Sequence, residues 1–114
     1  MHSGQRSDRE SENELEKKIV RYHPEAVDEL IEAARFYESK QSGLGERFIN
    51  NVENAVGFIQ LNPLLFRKDE LGRRKYQVKK FPYLLIYKVK DNHIFILAVA
   101  HAGRKPNYWE SRDK

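Results

Sequence analysis

The spacing of apolar residues changes at Asn62-Pro63, and this change limits the folds that the chain can adopt. Before this point, apolar side chains recur every three or four residues in two segments, which predicts two amphipathic helices. After it, apolar residues alternate with polar ones or run continuously, which is typical of strands. The sequence therefore predicts an α+β domain in which two helices precede most of the strands.

The predicted order begins with a strand at Ile19–Tyr22 and a helix that starts at His23-Pro24-Glu25 and ends near Lys40. Proline is tolerated in the first turn of a helix, and acidic residues there complement its positive end. A second helix is expected from Leu44 to Leu61. The joint Gly43-Leu44-Gly45 is short, so the two helices should be antiparallel neighbours.

Three strands are expected to follow as an antiparallel meander. The segment Tyr76–Val78 alternates apolar and polar residues, and Phe81-Pro82 ends that strand. The strands Tyr83–Val89 and Ile94–His101 are almost continuously apolar and are separated by Asp91-Asn92, a pair suited to a tight turn. Such apolar strands should be covered on both faces, and the helices are the evident cover for one of them.

The composition sets further limits. Residues 1–18 have few apolar groups and mixed charge, so we expect a disordered or loosely helical leader before a single domain at residues 19–112. Because the chain has no cysteine, a disulfide framework and thiolate chemistry are excluded. No apolar run suits a signal peptide or spans a bilayer. We expect a soluble cytoplasmic protein without a cofactor and without a membrane partner.

Charge is distributed unevenly. Residues 1–64 carry 8 Lys and Arg against 12 Asp and Glu, whereas residues 65–114 carry 13 against 5. A hairpin could bring the two basic ends of the second half together as one patch for a polyanion or an acidic protein. The simpler interpretation is that lysines on solvated strands protect sheet edges. The residues expected to contact a target or partner are Arg73, Arg74, Lys75, Lys79, Lys80, Arg104, Lys105 and Trp109.

The same basic set suggests a candidate for metal-free RNA cleavage. That reaction needs a base, cationic stabilisation of the phosphate and a proton for the leaving oxygen. Lys79 or Lys80 could act as the base, and Arg104 could clamp the phosphate. Tyr108 is a candidate proton donor, with His101 as a further possibility, although both residue types more often serve packing or hydrogen bonding. The histidines lack the spacing of metal ligands, so no metal site is expected.

Five segments carry a family resemblance: Tyr22–Ala26, Gly43–Phe48, Ile59–Pro63, Arg74–Tyr87 and Val99–Trp109. In order and spacing they resemble the RelE/ParE superfamily of bacterial toxins over about residues 19–112. The resemblance implies the toxin of a type II toxin–antitoxin pair. It also implies that a cognate antitoxin binds the toxin as a hetero-oligomer and neutralises it.

Two activities occur in this superfamily. RelE-like members cut mRNA in the ribosomal A site without metal, whereas ParE-like members inhibit DNA gyrase. The nuclease pattern has an arginine after the first aromatic of the second meander strand, and here Leu84 follows Tyr83. The ending His101–Trp109 is more similar to the ParE or plasmid-stabilisation branch. We therefore expect a gyrase inhibitor; the alternatives are a RelE-like mRNA endoribonuclease and an inactive member that only binds its partner.

Overall fold

The computed structural model describes residues 18–113, so all but the last residue of the predicted leader lies outside the described part. A short strand comes first, then two helices, then three strands and a 3₁₀ turn. The elements are β1 (Ile19–Tyr22), α1 (Pro24–Lys40), α2 (Leu44–Leu61), β2 (Arg73–Gln77), β3 (Tyr83–Val89), β4 (His93–His101) and the 3₁₀ turn Glu110–Arg112. The α+β class and the expected order of elements are confirmed.

Local capping explains why the helices begin and end at the predicted positions. At the start of α1, the His23 side chain accepts a hydrogen bond from the Glu25 backbone N–H at 3.1 Å, and proline occupies the first turn. Helix α2 follows Gly43, whose φ of 87° suits glycine. It ends at Asn62, before a proline that cannot continue the backbone ladder.

The joint between the helices is held by one carboxylate and one glycine. Glu38 accepts hydrogen bonds from the backbone N–H groups of Gly43 and Gly45 at 3.0–3.1 Å. A Cβ atom on Gly45 would lie 2.6 Å from the carbonyl oxygen of Ala34 in the facing helix. Only glycine allows this approach, so the joint fixes the antiparallel hairpin that the sequence predicts.

The sheet has four strands in the order β1-β4-β3-β2. The β2–β3 and β3–β4 pairs are antiparallel, as the predicted meander requires, and β1 pairs in parallel with β4. The parallel pairing stops at Tyr22 opposite Ile96, so β4 continues well beyond its neighbour. A register shift between Ile86 and Tyr87 places an additional β4 residue in the ladder.

The helices cover one face of the sheet. Their core includes a cluster of four aromatic rings from both helices, the β2–β3 turn and the start of β3, with centroids 4.9–6.2 Å apart. The members of this aromatic cluster are Tyr37, Phe48, Phe81 and Tyr83. Such edge-to-face contacts add to the burial of area, so this part of the fold is rigid.

The main local difference from the prediction concerns β2. The strand starts at Arg73, before the alternating segment, and ends at Gln77. Lys79 and Lys80 therefore lie in the turn between β2 and β3 and not on a strand. Lys80 has a φ of 69°, which is uncommon for a residue with a side chain. Val78 is nevertheless buried, and its N–H donates to the Tyr83 carbonyl, as the alternation suggests.

Candidate functional site

The second face of the sheet is covered by the chain's own C-terminal segment, residues 104–113, which we call the C-terminal strap. Trp109, only 3% exposed, packs against Ile86, Leu97, Ala98 and Ala100. This tryptophan therefore folds back on the sheet, whereas the sequence analysis expected it to contact a target or partner. Its role in the structure is to bury apolar area, so it is not available on the surface as a contact residue.

Ion pairs between Lys88 and Asp113 (3.2 Å) and between Arg73 and Glu110 (3.4 Å) tie the strap to the sheet, and one carboxylate on α1 makes its shortest polar contacts. Glu29, on α1, accepts a hydrogen bond from the Tyr108 hydroxyl at 2.6 Å and two from the Arg112 guanidinium at 2.9 and 3.0 Å. Arg104 approaches the same carboxylate at 3.5 Å. The side chains of Glu29 and Arg112 are 13% and 6% exposed, so water screens this pair weakly. We call these four residues the Glu29 cluster.

The cluster also completes the exposed edge of β4. Within residues 18–113, no strand pairs with β4 on the β1 side beyond Ile96, so the backbone groups there need other partners. The Val99 N–H donates to Glu29 at 3.0 Å, and the Leu97 carbonyl accepts from Arg112 at 3.1 Å. The ion pair therefore supplies hydrogen bonds that an additional strand would otherwise make.

This environment changes the chemistry of Tyr108. Burial raises the pKa of its hydroxyl well above the usual range, and the hydrogen bond to Glu29 raises it further. The Arg104 guanidinium lies 3.7 Å from the centre of the Tyr108 ring, while its side chain stays 55% exposed. As the chain is folded, the proton of Tyr108 is bonded to a carboxylate and is a poor supply for a leaving oxygen.

His101 is exposed at the end of β4 and shapes the turn that follows. Its Nδ1 accepts the Gly103 N–H at 2.9 Å, and its ring lies edge-on to Tyr83 with centroids 5.2 Å apart. Both contacts are those of a hydrogen-bonded structural histidine, the ordinary interpretation weighed for this residue.

Arg73 and Arg74 differ from the exposed patch predicted, because each is only 9% exposed. Arg73 forms an ion pair with Asp69 at 2.9 Å and stacks 4.8 Å from the centre of the Trp109 ring. Arg74 donates to the carbonyl groups of Leu64 and Phe66 in the preceding loop. The two basic ends of the hairpin do meet, at Arg73 and Trp109, but the contact buries both side chains.

The remaining cations lie in two separate places. Lys75 and Lys105 border a shallow groove of about 200 Å³ beside the strap, together with Arg104. Leu84 lies on the floor of this groove, where the nuclease pattern has an arginine. Lys79 and Lys80 border concavities on the other side of the molecule, against α2.

The candidate nuclease residues therefore fall into two groups: His101, Arg104 and Tyr108 border the groove beside the strap, whereas Lys79 and Lys80 border the concavities against α2. Between residues 18 and 113, no hydrogen bond or ion pair joins either turn lysine to the Glu29 cluster. No group of three or more histidine or acidic side chains within that range is arranged to hold a metal ion. None of the described helices is long and apolar enough to cross a membrane.

Sequence reasoning missed the roles of Glu29 and Arg112. Glu29 reads as an ordinary acidic residue near a helix start, and Arg112 as part of a basic tail. They are 83 positions apart in the chain, and no local pattern links them. One signal was available: an acidic residue on the helix face next to the apolar stripe, in a fold whose C-terminal segment is basic.

The described residues form a small α+β domain whose sheet is covered on one face by the C-terminal strap. Comparison with known proteins identifies the family of this domain. The family model described as "ParE toxin of type II toxin-antitoxin system, parDE" matches residues 20–106. Because this match covers most of the chain, the protein belongs to the ParE toxin family. No curated protein sequence matches it.

One solved structure shows how far the likeness extends in three dimensions. It is described as the "Chromosomal ParDE TA system from P. aeruginosa", and its matched chain superposes with a TM-score of 0.63 at 19% identity. The superposition covers 75% of this chain and 97% of that one. At this identity the match supports the fold, and the fold agrees with the α+β architecture described above.

Proposed function

We propose that this chain is a ParE-like toxin that inhibits DNA gyrase through protein–protein contact and is neutralised in the cytoplasm by a cognate antitoxin. Membership of the ParE toxin family supports the toxin class. The observation that supports the choice of target is the state of the nuclease candidates: the Tyr108 hydroxyl donates to Glu29, Lys79 and Lys80 lie apart from it against α2, and Leu84 follows Tyr83 where the nuclease pattern has an arginine. A mechanism that needs only a binding surface requires no assembled acid and base.

The groove beside the strap is the surface we assign to the target. Lys75 and Lys105 are exposed at its border, and Arg104 is half-exposed on a ring that holds its guanidinium in place. Apolar side chains, including that of Leu84, form its floor. An apolar floor with a cationic border fits an acidic protein surface, where the charges accelerate association and the floor supplies affinity.

The test uses the purified full-length toxin, freed of antitoxin, in a gyrase supercoiling assay. We expect the wild type to block supercoiling. The double variant Lys75→Glu with Lys105→Glu should need about tenfold more protein for the same inhibition, because both border charges are reversed. The matched control is Lys40→Glu with Lys90→Glu, which makes the same charge change away from the groove and should inhibit like the wild type. Unimpaired supercoiling at high excess of wild type would reject the proposal.

A RelE-like activity is tested in the same preparation. Primer extension on translated mRNA would show discrete cuts at the ribosomal A site, and these would be lost in Arg104→Ala. Finding such cuts while supercoiling is unaffected would assign the alternative activity. If neither activity appears and strong expression without antitoxin leaves growth unchanged, the chain is a member that only binds its partner.

A further inference from the structure

Strand β2 forms one edge of the sheet, since it pairs with β3 alone. Its outer side is identified at Arg73, whose N–H donates to the Asp69 carboxylate at 2.9 Å and whose carbonyl accepts from the Asp69 N–H at 2.8 Å. Because the backbone direction alternates along an antiparallel strand, Lys75 and Gln77 also face outward. Within residues 18–113, no hydrogen bond outside the β2–β3 ladder uses the backbone of either residue.

An exposed apolar surface lies beside this edge, on the helix face of the sheet. The Tyr76 ring stacks on Phe58 with centroids 5.5 Å apart, and the Phe66 ring lies 5.1 Å from Tyr76. Phe58 is partly exposed, and Leu61 and Leu65 nearby in the chain are 74% and 61% exposed. Grouped apolar side chains on a surface are typical of interaction sites. The edge therefore combines unpaired backbone groups with apolar area.

A second copy of the same chain complements this edge in one register. Two β2 strands related by a two-fold axis run antiparallel, as a self-complementary interface requires. When the axis passes through Tyr76, Lys75 lies opposite Gln77 of the second copy, and Gln77 lies opposite Lys75 of the second copy. Each such pair exchanges both of its backbone hydrogen bonds, so every free backbone group of the two edges finds a partner.

The other two-fold registers fit less well. An axis at Lys75 places two lysines directly opposite each other, which is destabilising. It also places Gln77 opposite Arg73, whose outward groups are already bonded to Asp69. An axis at Gln77 places Lys75 opposite Lys79, which lies beyond the end of the strand. Only the axis at Tyr76 uses all of the free groups and keeps the lysines from facing each other.

We propose that this chain self-associates by antiparallel pairing of β2 with β2 of a second copy, with Tyr76 on the two-fold axis. The pairing joins two four-stranded sheets into one and places both pairs of helices on the same side. On that side the two Tyr76 rings meet, each flanked by its own Phe58. The association is weak, because few residues pair and the two Lys75 side chains are diagonal neighbours. It does not depend on whether gyrase is the target.

Sedimentation equilibrium of the full-length protein measures the association. Between about 10 µM and about 1 mM, the average mass should rise from 13.5 kDa towards twice that value. Lys75→Pro removes only an outward N–H, a change that edge strands tolerate, and should stay monomeric. The matched control Lys75→Gln keeps this N–H, loses the repulsive charge and should associate more tightly than the wild type. Circular dichroism checks that both variants fold.

Two outcomes of this measurement would overturn the proposal. A wild-type mass that stays at 13.5 kDa at the highest concentration would leave the edge to a strand of another protein. Undiminished association of a folded Lys75→Pro would place the contact between copies elsewhere on the molecule.

Disulfide trapping tests the register directly, since the chain has no cysteine of its own. Opposite residues of a non-hydrogen-bonded pair have Cα atoms about 4.5 Å apart, within reach of a disulfide. Tyr76→Cys should therefore give a cross-linked dimer on mild oxidation, seen on a non-reducing gel. In Gln77→Cys the two Cα atoms would lie about 8 Å apart, so this more exposed cysteine should cross-link several-fold more slowly. Equal or reversed rates would refute the axis at Tyr76.

Amide hydrogen exchange reports on the same bonds in the unmodified protein. The Lys75 and Gln77 amides face outward and should exchange rapidly at about 10 µM, but should become protected several-fold at about 1 mM. The Tyr76 amide belongs to the ladder with β3 and serves as the internal control, because its protection should change little with concentration. A mass that doubles while the Lys75 and Gln77 amides stay unprotected would mean that the copies meet through another surface.

Discussion

Two long helices cover one face of the sheet, whereas a short strap covers the other. On the helix face, apolar and aromatic side chains from α1 and α2 supply nearly all of the contact, as at Phe48, which is fully buried. On the strap face, one tryptophan supplies most of the apolar area, and a buried carboxylate with its donors fixes the segment. Non-directional burial thus stabilises one face, and directional contacts stabilise the other.

The difference has a consequence for dynamics. The helix face belongs to the core that every element shares, so it should open only when the whole domain unfolds. The strap has few apolar contacts and depends on the Glu29 cluster, so it can open locally while the rest of the domain stays folded. Because the proposed target surface borders the strap, its shape depends on a segment of lower local stability.

Removing a buried aromatic ring from the helix face should cause the greatest loss of stability. Phe48→Ala should lower the free energy of unfolding by about 4 kcal/mol, since it removes a fully buried ring and leaves a cavity in the aromatic cluster. Urea denaturation followed by circular dichroism measures the loss. The control Phe36→Ala alters a ring that is 54% exposed on the same helix pair and should cost less than about 1 kcal/mol. Equal costs would show that the two rings do not differ in burial as described.

A smaller loss of stability should follow when the Glu29 carboxylate is removed from the strap face. Glu29→Ala removes the closer carboxylate of the buried Arg112 guanidinium and leaves only the exposed Glu25 at 3.5 Å, so it should lower the free energy of unfolding by about 2–3 kcal/mol. Local opening of the strap limits the loss, so it should be smaller than for Phe48→Ala. Hydrogen exchange should accelerate in residues 104–113 and at the Val99 amide, whose acceptor is removed.

A neighbouring carboxylate provides the control for that experiment. Glu32 lies one turn away on α1 and is exposed, so Glu32→Ala should leave both the stability and the exchange of the strap unchanged. Fast exchange confined to the helices in Glu29→Ala would contradict the description of Glu29 as the residue that holds the strap.

The sequence predicts the helix face better than the strap face for a physical reason. Helix bounds follow from local chemistry: the cap at His23, the joint at Gly43–Gly45 and the stop at Pro63 each act on neighbouring residues. The apolar spacing then identifies the buried side of each helix. These features depend on residues within one or two turns of each other, so a single chain is enough to recognise them.

The strap face depends on pairs that are distant in the chain. Glu29 and Arg112 are brought together only by the tertiary fold, and the burial of Arg74 depends on carbonyl groups of a loop with no regular pattern. The basic charge of the second half can be read from the sequence. The sequence does not show which of these cations are buried and which border a groove or a pocket. The place of β1 beside β4 is likewise a long-range choice that local spacing does not specify.

Removing one hydrogen bond of the strap should have the smallest effect on stability. Tyr108→Phe removes the hydroxyl that donates to Glu29 and keeps the ring that packs under Arg104, so it should cost about 1 kcal/mol near neutral pH. The supercoiling assay on this variant adds a functional readout. Inhibition of gyrase by protein–protein contact needs no proton from this hydroxyl. The variant should therefore inhibit supercoiling at nearly the wild-type level.

The pH dependence of that cost gives a sign that packing alone would not produce. Burial and Glu29 raise the pKa of Tyr108 above its ordinary value of 10.0, so folding favours the protonated hydroxyl. The protonated hydroxyl contributes its full stabilisation below pH 10. This stabilisation is lost as the pH rises towards the higher pKa of Tyr108 in the folded state. The stability difference between wild type and Tyr108→Phe should therefore be constant up to pH 10 and should narrow above it.

The narrowing should be modest. Full linkage of one proton would change the stability difference by at most about 1.4 kcal/mol per pH unit. Because the Tyr108 ring is only half-buried, solvent screening should limit the change to about 0.5 kcal/mol between pH 10 and pH 11. Urea denaturation of both proteins at each pH measures it, and titration of the other tyrosines and lysines cancels in the difference. A difference that stays constant to pH 11 would mean that the hydroxyl is not held by Glu29. The strap would then depend on Trp109, on Arg112 and on the ion pairs of Glu110 and Asp113.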